Sequence, residues 1–139
     1  MTVDDFLDFI LPDVVGCPSE TARVAVLRTA IDFCTRTHVW NLIQDPVPLF
    51  AGSNEYDVDK PLGSEVVTVK SVWCGPTELL PVNMHELQMR LPNWREARGS
   101  APSFYNATGE KGTITVWPIP TAPLGNDLVM RAVYRPLMT

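Results

Sequence analysis

The chain has 139 residues, enough to bury one core and too few for two of ordinary size, so a single domain over 1–139 is expected. Hydrophobic residues at 45% and charged residues at 19% exclude wholesale disorder, and the apolar runs, broken by Asp, Arg or Pro, fall far short of the roughly 20 residues of a membrane span. A net charge of −5 with scattered Lys and Arg argues against a protein that grips nucleic acid, because phosphate binding draws on clustered cations.

The acidic start, Met1-Thr2-Val3-Asp4-Asp5, lacks the basic character of a secretory signal, and synthesis in a cytoplasm is the expectation. Thr2 and Asp5 stand three apart before Phe6-Leu7-Asp8-Phe9-Ile10-Leu11, the spacing of a reciprocal helix cap, which predicts a first helix over about 2–11 ending at Pro12. Gly16-Cys17-Pro18-Ser19-Glu20 opens a second helix over about 18–38. On this second helix Thr21, Ala25, Arg28, Thr29, Asp32 and Arg36 share one face at 100° per residue, and Val24, Val26, Leu27, Ala30, Ile31, Phe33 and Cys34 cover the opposite half. That arc is wider than one sheet needs, so two neighbours are expected: the first helix and a second surface, in this chain or in another subunit.

Beyond the helical part, 1–40, the period changes and proline punctuates the sequence through a β-rich part, 45–134. Segments 45–50 and 55–58 read as a hairpin about Ala51-Gly52-Ser53-Asn54. Residues 65–73 are the strongest strand, β-branched and alternating, with Thr77–Val82 returning beside it. Asn83 and Glu86 cap a short helix that Pro92 stops, and 93–100 reads as a loop. A second hairpin joins 104–108 to 113–117 through the turn at 109–112, and 128–134 is the last strand before a tail, 135–139. Helices followed by six or seven short strands and one short helix define an α+β fold with a mainly antiparallel sheet, not a nucleotide-binding parallel one.

No nucleophile elbow, P-loop, dinucleotide fingerprint or zinc-protease motif occurs, and neither a catalytic residue nor a cofactor or metal site is expected. Cys17, Cys34 and Cys74 are widely spaced and read as small core residues. His38 and His85 sit at helix ends and read as capping or surface groups. Trp40, Trp73 and Trp117 close elements and are expected to roof a core, whereas Trp94, between polar residues and flanked by Arg95, reads as exposed. Two other functions stay open at this point: a carbohydrate- or peptide-binding β-domain centred on Trp94 and Tyr105, and a hydrolase using a carboxylate pair.

Several segments together carry a likeness: Leu11-Pro12-Asp13-Val14-Val15-Gly16-Cys17-Pro18, Ala30-Ile31-Asp32-Phe33-Cys34 with His38-Val39-Trp40, and Ala51-Gly52-Ser53-Asn54-Glu55-Tyr56. Pro102-Ser103-Phe104-Tyr105, Val116-Trp117-Pro118-Ile119-Pro120 and Val133-Tyr134-Arg135-Pro136-Leu137 continue it to the end of the chain. In this layout the chain resembles the head–tail adaptor proteins of tailed bacteriophages, also called connector or head-completion proteins. The resemblance implies a non-enzymatic virion subunit, made in the host bacterium, that forms a ring of twelve copies between the portal protein and a tail or nozzle protein. It further implies that DNA passes through the ring without sequence-specific binding, and no membrane is involved. Arg23, Val26, Ala30 and Phe33 on the second helix, with Trp94 and Arg98 in the loop, are the candidate subunit-interface residues. Arg135, Leu137 and Met138 in the tail are the candidate portal contacts.

Overall fold

Thr2 is extended and its hydroxyl accepts the Asp5 N–H at 3.4 Å while the Asp5 carboxylate accepts the Thr2 N–H, so the two residues satisfy donors that a first helical turn leaves free. These bonds, the Thr2 backbone N–H first, hold the Asp5 carboxyl below its ordinary value. Helix α1, Val3–Ile10, follows, and a 3-10 turn, Leu11–Asp13, accommodates Pro12 where a missing N–H costs nothing. Helix α2 spans Ser19–Thr37 and stops at His38, which takes the left-handed conformation at φ 54°. Its N–H donates to the Cys34 carbonyl at 3.1 Å, and the His38 carbonyl accepts from Asn41 Nδ2 at 3.1 Å. His38 therefore ends the helix through its backbone. The computed structural model describes residues 2–107, 112–121 and 127–138.

The strands are β1 (Asn41–Ile43), β2 (Glu55–Asp57), β3 (Ser64–Cys74), β4 (Thr77–Glu78) and β5 (Leu80–Pro81). Helix α3, Met84–Arg90, comes next, started by Asn83, whose side chain accepts the Glu86 N–H at 2.8 Å. Then follow β6 (Arg98–Gly99), β7 (Phe104–Asn106), β8 (Thr113–Trp117), β9 (Ile119–Pro120) and β10 (Leu128–Pro136). One sheet has the order β1-β10-β3-β4, a second β2-β8-β7-β5, and β6 pairs with β9 alone. Pairing is antiparallel apart from β5 with β7 and β6 with β9. A Cβ on Gly99 would meet Pro118 Cγ at 2.7 Å, so glycine is what lets β6 run beside β9.

The two sheets face each other across one core. Val66, Val72, Met130 and Tyr134 enter it from the first sheet and Tyr56, Tyr105, Ile114 and Val116 from the second. Strict alternation along β10 sends Leu128, Met130, Ala132 and Tyr134 inward, while buried Val133 lies on the outer face, where α2 packs and α1 packs on α2 in turn. On the far side, Leu87 of α3 meets Trp117 and Val82, flanked by Trp94 and Phe104, over the outer face of the second sheet. The layers therefore run α1 and α2, first sheet, second sheet, α3.

The α+β class, the three helices and the 104–117 hairpin stand as read from the sequence; the hairpin turn falls partly at 108–111, outside the described residues. Part of the 118–127 connection, at 122–126, lies outside them as well. Among the described residues ten strands replace the six or seven expected, because several two- and three-residue pairings carry no local signal. Segment 45–50 makes only an isolated bridge, Val47 to Leu128, and β2 pairs with β8 instead of closing a hairpin. Segment 77–82 splits, β4 staying on β3 and β5 crossing to β7. The last strand runs two residues past the expected end, through Arg135 and Pro136. Trp94 is half-buried, edge-on to Trp117 with ring centroids 6.2 Å apart, and is not the exposed loop residue its polar neighbours suggested.

Burial first, and the Asp59 carboxylate second, push the Tyr134 phenol above its ordinary 10.0; burial and then Glu78 do the same to Tyr105. Burial and then Asp127 raise the Cys74 thiol above 9.0. In each case the folded protein holds a proton that the unfolded chain releases, so this stability is complete below the unfolded pKa and is lost as pH rises through the folded one. The melting temperature is expected to be level through neutral pH and to fall from about pH 9 to 10 upward, with tyrosinate absorbance and loss of helical dichroism appearing together. A melting temperature unchanged to about pH 12 would contradict this burial.

Candidate functional site

An open apolar groove of about 580 Å³ runs along the helical layer. Phe6, Ile10 and Val14, each four residues apart, line it from α1 and the turn that follows. Ala22, Val26, Ala30 and Phe33 line it from α2, with Cys17 at the junction. Phe33 is 55% exposed and Phe6 44%. A continuous apolar surface of this kind is the candidate functional site of the helical layer.

The groove settles which way α2 faces. Both neighbours of its apolar arc belong to the same chain, α1 on one side and β10 on the other. Yet Ala22 is the only fully buried residue of α2, and Val24 and Phe33 remain exposed. Thr21, Ala25 and Thr29, read from the sequence as part of a solvent face, line the groove as well. Thr29 can do so because its hydroxyl is satisfied within the helix, donating to the Ala25 carbonyl at 2.8 Å.

Of the interface candidates, Val26, Ala30 and Phe33 come together in the groove, and Arg23 stands beside it, half-buried, 3.5 Å from Asp4. Arg36 pairs with Asp32 at 2.9 Å on the same helix, and both pairs are exposed enough to contribute little stability. Trp94 and Arg98 lie in the opposite layer: the Arg95 guanidinium sits 5.1 Å over the Trp94 ring, and Arg98 is exposed on β6. The candidate portal residues divide. Arg135 belongs to β10, bonds Glu65 through Nε and reaches Thr35 Oγ1 of α2 at 3.5 Å, so it joins strand to helix. Leu137 is half-buried with its N–H on the Gly63 carbonyl at 2.9 Å, and Met138 is exposed. Besides Thr21, Ala25 and Thr29, sequence reading missed the groove residues Phe6, Ile10 and Val14, whose four-residue spacing was the available signal.

The stacking platform of a β-domain binder is not formed, since Tyr105 is buried in the main core and Trp94 packs on Trp117. Cys74 is buried, whereas Cys17 and Cys34 are half-buried. Among the described residues no three of His, Cys, Asp and Glu come together as metal ligands, and no helix is long and apolar enough to cross a membrane.

The fold is thus a small α+β protein with two facing sheets and an open apolar groove on its helical layer. The chain belongs to the SU10 adaptor protein family, whose family model matches residues 1–139. This is a family of phage head–tail adaptors, so the protein is a structural component of a phage virion, in agreement with the resemblance read from the sequence. No curated protein matches the chain.

Proposed function

We propose that copies of this chain close into a ring of twelve between the portal protein and a tail or nozzle protein, with the genome passing through the centre. The open groove between α1 and α2 carries this reading: it offers apolar surface that one protomer leaves unfilled. A surface that meets a different surface on the next copy generates rings when the rotation per subunit closes. The net charge of −5 suits a conduit, because an acidic wall repels phosphate and lets DNA slide. Leu137 and Met138, just beyond β10, are the segment available to the portal.

The test is to add the protein to purified portal rings and count bound copies by native mass spectrometry and electron microscopy. Twelve copies in a closed ring are expected; a single copy per portal subunit site without contact between copies would overturn the reading. Ending the chain at Pro136 is expected to weaken portal binding about tenfold or more, while loss of the Leu137 hydrogen bond lowers stability by only about 1 kcal/mol. Unchanged portal binding would remove Leu137 and Met138 from the contact.

A further inference from the structure

A ring needs two surfaces that meet, and two features in opposite outer layers carry exposed apolar side chains amid opposite charge. On α1, Asp5 and Phe9 stand four residues apart in one row, with Phe6 beside Phe9 and Asp8 on its flank, and Asp13 ends the 3-10 turn that follows the helix. Phe9 is 72% exposed, and Phe6 joins this row to the groove. Residues 2–13 hold four aspartates and no basic residue, a formal −4, and among the described residues only Asp4 has a cationic partner. The nearby Arg23 and Arg36 are occupied by Asp4 and Asp32.

On the opposite layer, the end of α3 projects Met89, also 72% exposed. Residues 88–98 hold Arg90, Arg95 and Arg98 against Glu96, a formal +2 in a chain of net −5. None of these arginines forms an ion pair among the described residues. Arg90 and Arg95 lie instead over the Phe104 and Trp94 rings, at 5.8 and 5.1 Å.

We infer that these are the two halves of one head-to-tail interface: the end of α3 and the segment after it, Met89, Arg90 and Arg95, on one copy seat on the acidic Phe9 face of α1 and the turn after it, Asp5 to Asp13, on the next. Met89 covers Phe9 and Phe6, and the arginines meet Asp8 and Asp13. The inference rests on the ring reading above, and it names the surfaces that the ring uses. A contact between unlike patches on opposite layers propagates in one direction, as ring closure requires. The separated charges steer one copy toward the next in the correct orientation.

Charge reversal with rescue tests it on the full chain filling portal rings, followed by native mass spectrometry. Arg90→Glu with Arg95→Glu, and separately Asp8→Lys with Asp13→Lys, are each expected to raise the half-filling concentration about tenfold or more, because like charges then face each other. All four positions are exposed, so thermal melts confirm that each variant is folded. The four changes in one chain restore the attraction at every interface, and filling is expected to return to within about threefold of the parent protein. Either pair of changes leaving filling unaltered, or no recovery in the combined variant, overturns the pairing while parent rings still form. In those cases the acidic row serves another partner, such as a basic segment of the portal or tail. Parent protein that binds the portal without forming rings overturns the ring reading itself.

Discussion

Phe33→Asp is expected to yield a folded protomer that no longer joins its neighbours. Phe33 is more than half exposed at the end of the groove, so the protomer loses little when the ring is removed. Covered by another chain, the same phenylalanine contributes about 1.5–3 kcal/mol, and an aspartate in its place adds the cost of burying an unpaired carboxylate. A loss of about 3 kcal/mol weakens each contact more than a hundredfold, and a closed ring repeats that loss at every interface. Light scattering and native mass spectrometry on portal rings read the result, with circular dichroism as the control for folding. Phe33→Leu keeps apolar volume and is expected to assemble nearly as well as the parent. Full ring assembly by the aspartate variant would take the groove out of the interface.

The largest effect on the protomer itself is expected from Tyr134→Ala. Tyr134 is completely buried on β10, packs on Trp40 with ring centroids 5.9 Å apart, and donates its hydroxyl to the Asp59 carbonyl at 2.8 Å. Its own N–H bonds the Trp40 carbonyl at 2.8 Å, so one residue ties the last strand to the exit of the helical part. Truncating a buried aromatic costs about 3–5 kcal/mol, a large share of the roughly 5–15 kcal/mol that holds a domain folded. Urea titration is expected to show a midpoint shifted far down with an unchanged slope. Tyr134→Phe, which removes only the hydroxyl, is expected to cost about 0.5–1.5 kcal/mol. A loss below about 1 kcal/mol in the alanine variant would mean that the core closes without this residue.

The legible parts of the fold were those whose cause is local. Thr2 with Asp5 and Asn83 with Glu86 satisfy donors three residues away, so both helix starts could be read directly. The hairpin strands and the β-branched 64–74 stretch announced themselves by composition. Even in β3, however, simple alternation fails. Register shifts opposite Arg131/Ala132 and Val133/Tyr134 leave Lys70 and Val67 without partners, and the buried positions step from Val66 to Val69 to Val72. Those bulges are set by β10, roughly 65 residues further along the chain.

For the candidate surface the division is the same. Val26, Ala30 and Phe33 were legible because a half-cylinder of apolar residues on one helix is a local pattern. That α1 and β10 cover two sides of that helix and leave a third open is a matter of packing between distant elements. Arg135 illustrates the limit: its sequence position marks a tail, but its partners Glu65 and Thr35 lie 70 and 100 residues away and draw it into the strand. The sequence by itself determined the caps, the helices, the main strands and the adaptor family, because each is specified by neighbours along the chain or by the pattern of the whole. The tertiary structure alone decided strand pairing, the packing of Trp94 on Trp117 and the line of the groove, because those depend on which remote surfaces exclude water from one another.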